Sequence, residues 1–481
     1  TTQEDVENIT DENGENPTTQ DLTTTEEYDL FGNLVKVTQP SGAVTTTTYD
    51  VYRRPLVQTN PDGTTKQWSY DNINNIITIT DENGNRQQVY FDTLGRQTQV
   101  YQENEHGSFE LVAEKAYNSQ SLVSDIALYA QPGSEKSRVE YTYFGDGQLE
   151  SETVKEGSKI LSKKTYVFEP DYSSEEQRTG VIVDTDLSTD TKIYAYTDLW
   201  GRPTRQTVTL KSGTETPTYT SSYTTDTMGN VLTETDFKGY TTTYTYDYKN
   251  QVIKTVFPDK TFTETGYNVH GDITSFLDGN GNETEYVYNT QGQLIETISP
   301  FRPYKTAHNK KYYHKDGYLS REEQQNNIHT SSDETYRTTR YLYDSRGRLT
   351  ATIGNDGTVD NVTKTEYDDV GNVLKTITGL TSPTQEIDPS QHSITTYAYN
   401  KQNFPVSAID PMGAVTLTTY DNLGNAITTT DKNGTTITNT YDGLGRVLSR
   451  SAGGKQVSYT YNKLGQVSKM TDSTGTTNYE Y

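Results

Sequence analysis

Aspartate beside glycine is the most frequent arrangement in this chain that could do chemistry. In "DENGN" (Asp81 to Asn85) and "DGNGNE" (Asp278 to Glu283) carboxylate and amide oxygens alternate, the donor types of a calcium loop. The further ligands of a twelve-residue EF-hand loop do not follow, so a turn is the preferred reading and no metal is expected. The six histidines, His106, His270, His308, His314, His329 and His392, are scattered without the H-E-x-x-H pairing of a zinc hydrolase. No G-x-S-x-G nucleophile elbow or phosphate-cradling glycine loop is present, so neither an enzyme nor a cofactor is expected. One stretch is cationic: "FRPYKTAHNKKYYHKDG" (Phe301 to Gly317) carries Arg302, Lys305, Lys310, Lys311, His314 and Lys315. It reads as an irregular loop or solvated strand pair, with a docking patch for an acidic partner or a glycan as the sharper alternative.

The elements that hold these residues follow from a repeat. Tyr-Asp corners recur at Tyr28-Asp29, Tyr49-Asp50, Tyr70-Asp71, Tyr246-Asp247, Tyr343-Asp344, Tyr367-Asp368, Tyr420-Asp421 and Tyr441-Asp442, with Asp92 following a phenylalanine. Glycine stands three residues after Asp at Gly32, Gly95, Gly347, Gly371, Gly424 and Gly445. The commonest step is 21 residues, a fixed period of the kind that marks repeat architectures. A second corner, Asp-x-x-Gly or Pro-x-Gly, lies between successive Tyr-Asp corners. Asp opening a type I turn can accept bonds from the amides that follow, and the later Gly supplies the positive φ of a bulge. Removing two turns of about four residues leaves two strands of about six per unit. The unit is therefore a β-hairpin, and about nineteen units fill 21–481, after a polar lead-in over 1–20 that itself reads as a degenerate repeat. The period breaks at 101–195, where degenerate units are expected near Tyr117 and Tyr166, and at 295–400. A grafted functional surface would sit in one of those irregular stretches.

Composition agrees with folded β-structure of unusual polarity. Only 30% of the 481 residues are hydrophobic and the mean hydropathy is -0.86, yet 39 tyrosines accompany many Thr, Val and Ile. Tyrosine pairs two apart, such as Tyr244/Tyr246 and Tyr459/Tyr461, place both rings on one face of a strand. Stacked from unit to unit, they are expected to form aromatic ladders opposite a solvated threonine face. A sheet of nearly forty strands accumulates twist and must curl. A net charge of -25 argues against a nucleic-acid binder, and no apolar run is long enough to span a membrane. The absence of Cys excludes a disulfide framework and a thiolate site. The N-terminus lacks the basic start and apolar core of a signal peptide.

Repeated Tyr-Asp-x-x-Gly-Arg/Asn-Leu/Val, as in "YDLFGNLV", "YDSRGRL", "YDDVGNVL" and "YDGLGRVL", resembles the YD repeat of RHS proteins from about Tyr28 to Tyr481. That family includes bacterial polymorphic toxins, wall-associated proteins, insecticidal toxin-complex subunits and teneurins. The resemblance implies an all-β fold of tandem hairpins in one long antiparallel sheet that spirals into a curved or hollow shell. It further implies a non-enzymatic segment that encapsulates or presents a C-terminal toxin or effector domain outside this chain, in a secreted or cell-wall setting. The implied partners are that cargo and the capping segments. The alternative is a cell-surface adhesion module binding glycans or proteins. The bacterial shells end in a self-cleaving motif beginning Asp-Pro-x-Gly-Leu. Asp410-Pro411-Met412-Gly413 is followed by Ala414, and repeats continue beyond it, so a plain corner and a fragment of a longer protein are the expectation.

Overall fold

The computed structural model describes residues 23–171, 176–184, 191–209, 217–302, 305–325, 336–355, 360–462 and 465–479. They form 39 strands of a single sheet, with no helix among the described residues, from Thr25–Tyr28 to Gly475–Asn478. Each strand pairs antiparallel with the strand that follows it, so the chain is one meandering ribbon.

The corners explain the repeat. At the first, Gly32 N donates to Asp29 O at 3.0 Å and Asp29 N to Asn33 O at 3.0 Å, and the register slips by one residue between Glu27 and Tyr28. This is a type I turn closed by a bulge, and Gly32 takes φ 82° as that bulge requires. Where glycine is replaced, Arg53, Asn250 and Asn403 adopt φ between 63° and 65°. The Asp carboxylate completes the corner: Oδ1 of Asp29 accepts from Phe31 N and Asn33 N, both at 2.9 Å. Its Oδ2 accepts from Asn33 Nδ2 at 2.7 Å, the place taken by Arg96 Nε on Asp92 at 2.7 Å and Arg348 Nε on Asp344 at 2.7 Å.

Tyrosine ties one corner to the next. Tyr49 donates its hydroxyl to Leu34 O at 2.9 Å, Tyr246 to Val231 O at 2.8 Å and Tyr441 to Ala426 O at 2.8 Å, each reaching back across the preceding hairpin. The bond needs a hydroxyl at the end of a long flat side chain, which is why the position is Tyr. The expected ring-on-ring ladder is replaced in part by cations. Arg54 lies 3.9 Å from the Tyr70 centroid, Arg96 4.5 Å from Tyr117 and Arg446 4.5 Å from Tyr461. Direct ring pairs are local, as at Phe404–Tyr420 (5.2 Å) and Tyr318–Tyr343 (5.1 Å). The physical reason is spacing: corners on one edge lie about 10 Å apart, two strand separations, and an arginine fills that gap where a ring cannot.

Face assignment follows alternation. Thr241–Tyr246, Glu283–Tyr288 and Val415–Tyr420 alternate exposed and half-buried residues, with the tyrosines on the half-buried side. On the opposite face threonine hydroxyls meet across strands, as in Thr419–Thr428 (2.6 Å) and Thr224–Thr233 (2.6 Å). Among the described residues few apolar side chains are buried: Ile353, Val362, Ile377 and Leu380 form a cluster with the partly buried Leu342, Ile387 and Ile394, and Ala127, Val154, Leu161 and Ala351 complete the set. The accessible surface is 28248 Å², against about 18,000 Å² for a compact monomer of this mass, because one layer of sheet keeps two wet faces.

The irregular stretches contain longer hairpins. Strands there run to 13 residues at Lys159–Asp171 and 10 at Ser134–Tyr143, against five or six in the regular units. Tyr117 ends a strand at a corner, Asn118 to Ser121, as its motif suggests. Tyr166 lies within the long strand Lys159–Asp171 rather than at a strand end.

Candidate functional site: the seam between coils

The ribbon has two edges, one lined by Tyr-Asp corners and the other by the second corners, and it coils until these edges meet. Second-edge corners from Ser41 to Lys136 lie against Tyr-Asp-edge corners from Asp316 to Gly443. Ser41 N donates to Asp316 Oδ1 at 2.7 Å, Asn83 Nδ2 to Asp368 Oδ2 at 2.9 Å and Lys401 N to Glu105 Oε1 at 2.9 Å. Asn422 N donates to Ala130 O at 2.9 Å and Lys136 Nζ to Tyr441 O at 2.8 Å. The bonded residues are 275 to 322 apart in sequence, which sets one revolution. The first contact is bridged by the 23 strands from Val44–Tyr49 to Lys305–Tyr313. At about 4.8 Å per strand the path is roughly 110 Å, or about 35 Å across if circular, and strand tilt widens it.

Two charged clusters hold the seam. Arg346 lies 3.4 Å from Asp62 and 3.6 Å from Glu82, while Arg348 spans from its own corner Asp344 (2.7 Å) to Asp62 (3.3 Å). Burial pushes the Asp62 carboxyl up, but the Thr64 hydroxyl and amide and the two guanidinium groups outweigh it and leave Asp62 below its ordinary value. Farther along, Glu103 is almost fully buried between Arg86 (2.6 Å) on its own coil and Lys401 (3.4 Å) on the next. The Arg86 hydrogen bond holds Glu103 low against the opposing effect of burial, and Lys401 adds to it. Burial likewise raises Asp368, and its bonds from Asn372, Asn83 and the Gly371 amide bring it below the ordinary range.

The seam also demands close backbone approach. A Cβ on Gly443 would stand 2.8 Å from Ser137 Cβ and 3.0 Å from Leu161 Cδ1. Beside it a 310 Å³ recess is lined by Gln131, Lys136, Asp421 and Asn439, with the Lys136 ammonium already held by Glu156 at 2.6 Å.

The sequence-singled corner residues therefore divide. Among the described residues, Asp29, Asp50, Asp71, Asp92 and Asp247 lie on corners that make no seam contact, whereas Asp344, Asp368, Asp421 and Asp442 lie on corners seated in the seam. In the cationic stretch, His308 Nδ1 lies 2.9 Å from Glu296, and Lys310 and Lys311 stand opposite Glu323 and Glu322 in the ladder. His314 opens the corner whose Asp316 starts the seam, and the side chains of Arg302 and Lys305 lie outside the described residues. Asp278 spends its carboxylate on Asn280 N, Asn282 N and Asn282 Nδ2 at 2.8–2.9 Å. Asp410 does the same for Met412 N and Ala414 N at 2.9 and 3.0 Å. Among the described residues no three His, Asp or Glu side chains converge, and no helix is long and apolar enough to cross a membrane. The seam residues gave no sequence signal, because partners some 300 positions apart carry no local periodicity.

The RHS Repeat family matches residues 28–65 and 441–477. No curated protein matches the chain. Among solved structures, the crystal structure of TcdB2-TccC3 is similar over 94% of this chain at 14% identity with a TM-score of 0.61. The chain spans 29% of the length of that one. A structure of the Photorhabdus luminescens Tc holotoxin pore is similar over 95% of this chain and 29% of its own, at 15% identity and a TM-score of 0.39. The chain thus carries segments that match the RHS Repeat family at 28–65 and 441–477, on a long antiparallel β-ribbon that shares the coiled-shell fold of TcdB2-TccC3.

Proposed function

We propose that this ribbon is the wall of a shell that encapsulates or presents a cargo domain, without catalysing a reaction itself. The seam carries the reading. A flat or rod-like repeat would leave both edges to solvent, whereas here edge meets edge through Arg346–Asp62 and Lys401–Glu103, so the sheet surrounds an interior. Every corner carboxylate named above is spent on its own turn amides or on the seam, which leaves the polar groups of the motif in structural work. The setting that fits is extracellular or at the cell surface, and the cargo is a toxin or effector domain that follows the ribbon.

Limited proteolysis with mass spectrometry on the native polypeptide tests this. A domain following Tyr481 should resist protease while the shell is folded and become sensitive once the shell is unfolded. Equal sensitivity in both states would overturn encapsulation.

A further inference from the structure

Between the strands Val373–Leu380 and Ser393–Tyr399, residues 381–392 take the place of a tight corner. They fold back over the sheet face opposite Tyr341 and Tyr343. On that face the ladders set Ile353 against Val362, Val362 against Leu380 and Ile377 against Ile394, and Ile387 of the connection packs onto this cluster. Elsewhere the same face carries exposed threonine pairs such as Thr419–Thr428, so the connection covers an apolar patch on a wet face.

His392 closes the cover. It is 7% exposed, and its Nδ1 accepts from Asp388 N at 2.9 Å while its own N donates to Asp388 O at 2.9 Å. Its Nε2 lies 3.2 Å from Gln385 Nε2, because Gln385 Oε1 is taken by Thr381 N at 2.7 Å and Thr381 Oγ1 at 3.0 Å. Both ring nitrogens therefore face N–H groups. An imidazole that accepts at Nδ1 is neutral, and a second proton there takes the place of the Asp388 amide hydrogen. The charged ring and the closed turn exclude each other.

We infer that residues 381–392 form a proton-sensitive lid, latched by neutral His392, which uncovers the Ile353, Val362, Ile377 and Leu380 cluster in mild acid. The sign follows from the geometry. The closed lid has no room for a proton at Nδ1 and the open lid does, so the open population rises as pH falls through the ordinary histidine range near 6.5. The other charged groups around the lid are Glu386 and Asp388 on the connection itself. On the strands beneath, facing the same side, are Arg340 paired with Asp360 (3.2 Å), Glu366 paired with Lys375 (3.1 Å), and Lys364. Carboxylates, lysines and arginines ordinarily titrate outside the interval from pH 7.5 to 5.5. The Ser390 hydroxyl, first of several groups, holds Asp388 below its ordinary value, and its oxygens are spent on Ser390 N, Ser390 Oγ and Gln391 Nε2. Asp388 thus serves as a turn acceptor rather than as a partner for a charged ring. This inference stands apart from the cargo reading, since it concerns one connection and the patch beneath it.

Hydrogen–deuterium exchange of the full chain at pH 7.5 and 5.5, normalised for the intrinsic rate at each pH, tests it. Protection of the peptide covering 381–392 should fall about tenfold on acidification, while that of a regular hairpin such as 415–430 should hold. His392→Asn offers an amide Oδ1 in place of Nδ1 and takes no proton, so its lid should keep the same protection at both pH values. Equal wild-type protection at the two pH values overturns the inference. So does a His392→Asn chain that loses protection as the wild type does, or a loss shared equally by 415–430. A second reading needs no variant. With ring-labelled histidine, the His392 signal of the wild-type chain should turn cationic over the interval in which protection falls, and a cationic ring in a still-protected lid overturns the latch.

Discussion

The corners at Asp29–Gly32 and Asp442–Gly445 are nearly the same object. In both, Oδ1 accepts two amides at 2.9–3.0 Å, Oδ2 takes a side chain four residues on, and glycine adopts φ 82° or 74°. Their surroundings are opposite. Leu30 and Phe31 stand bare, whereas the Asp442 side chain is 3% exposed and Gly443 abuts Ser137 and Leu161 of another coil. One local motif thus serves as a free hairpin end in one place and as a coil-to-coil contact in another. At these two corners the residues between Asp and Gly also differ, Leu-Phe at the first and Gly-Leu at the second.

The largest effect should come from the buried seam carboxylate. Glu103→Ala leaves Arg86 and Lys401 without their partner and should cost about 3 kcal/mol, the low end for a broken buried pair because both cations reach solvent. Chemical denaturation with a fluorescence pair across the seam would measure it, and an unchanged midpoint would refute the role. Gly443→Val should cost about 1–3 kcal/mol by overpacking against Ser137 and Leu161, while a comparable substitution at Thr93, in a corner outside the seam, should leave stability unchanged. Equal effects at the two corners would erase the distinction between them.

Asp442→Ala removes the acceptor for two amides and Arg446 in a covered corner and should cost about 1–3 kcal/mol. Asp29→Ala at the exposed corner should cost measurably less, which paired thermal melts would check. Smallest is Tyr246→Phe, which deletes one hydroxyl bond to Val231 O and should cost about 1 kcal/mol without changing the spiral.

Acid sharpens the same comparison. Asp62, Glu103 and Asp368 lie below their ordinary values in the folded chain, so the native state binds fewer protons than the unfolded one and stability rises with pH. The seam contribution is therefore complete above the ordinary carboxylate range near pH 4 and is lost as pH falls through the lower folded values. A cross-seam fluorescence pair should hold steady from neutrality to about pH 5 and separate only in stronger acid. Separation between pH 7 and 5 would show that other groups hold the seam.

Much of this architecture was legible in residue order. A 21-residue step with Asp-x-x-Gly at both ends dictates a two-strand unit, because type I corners with a positive φ residue admit few other choices. Alternation at Thr241–Tyr246 separates the faces, and Tyr-Asp-x-x-Gly-Arg carries its corner chemistry within five residues. The tyrosine strut from Tyr49 to Leu34 and the arginine laid over Tyr70 were less legible, since each joins neighbouring hairpins whose lateral spacing only the folded sheet defines. At Tyr166 the tyrosine sits inside a strand of 13 residues rather than at its end, because the hairpin there is about twice as long as a regular one.

What the sequence determined by itself is the hairpin, its corner and the need for a very large sheet to curl. The tertiary structure alone decided how far it curls and which corners meet. Arg346 and Asp62 look alike in rank to dozens of other charges along the chain, and nothing local pairs them across 284 positions. Their meeting depends on the summed twist of more than twenty strands, each adding a small rotation, so a property of the whole ribbon selects the seam.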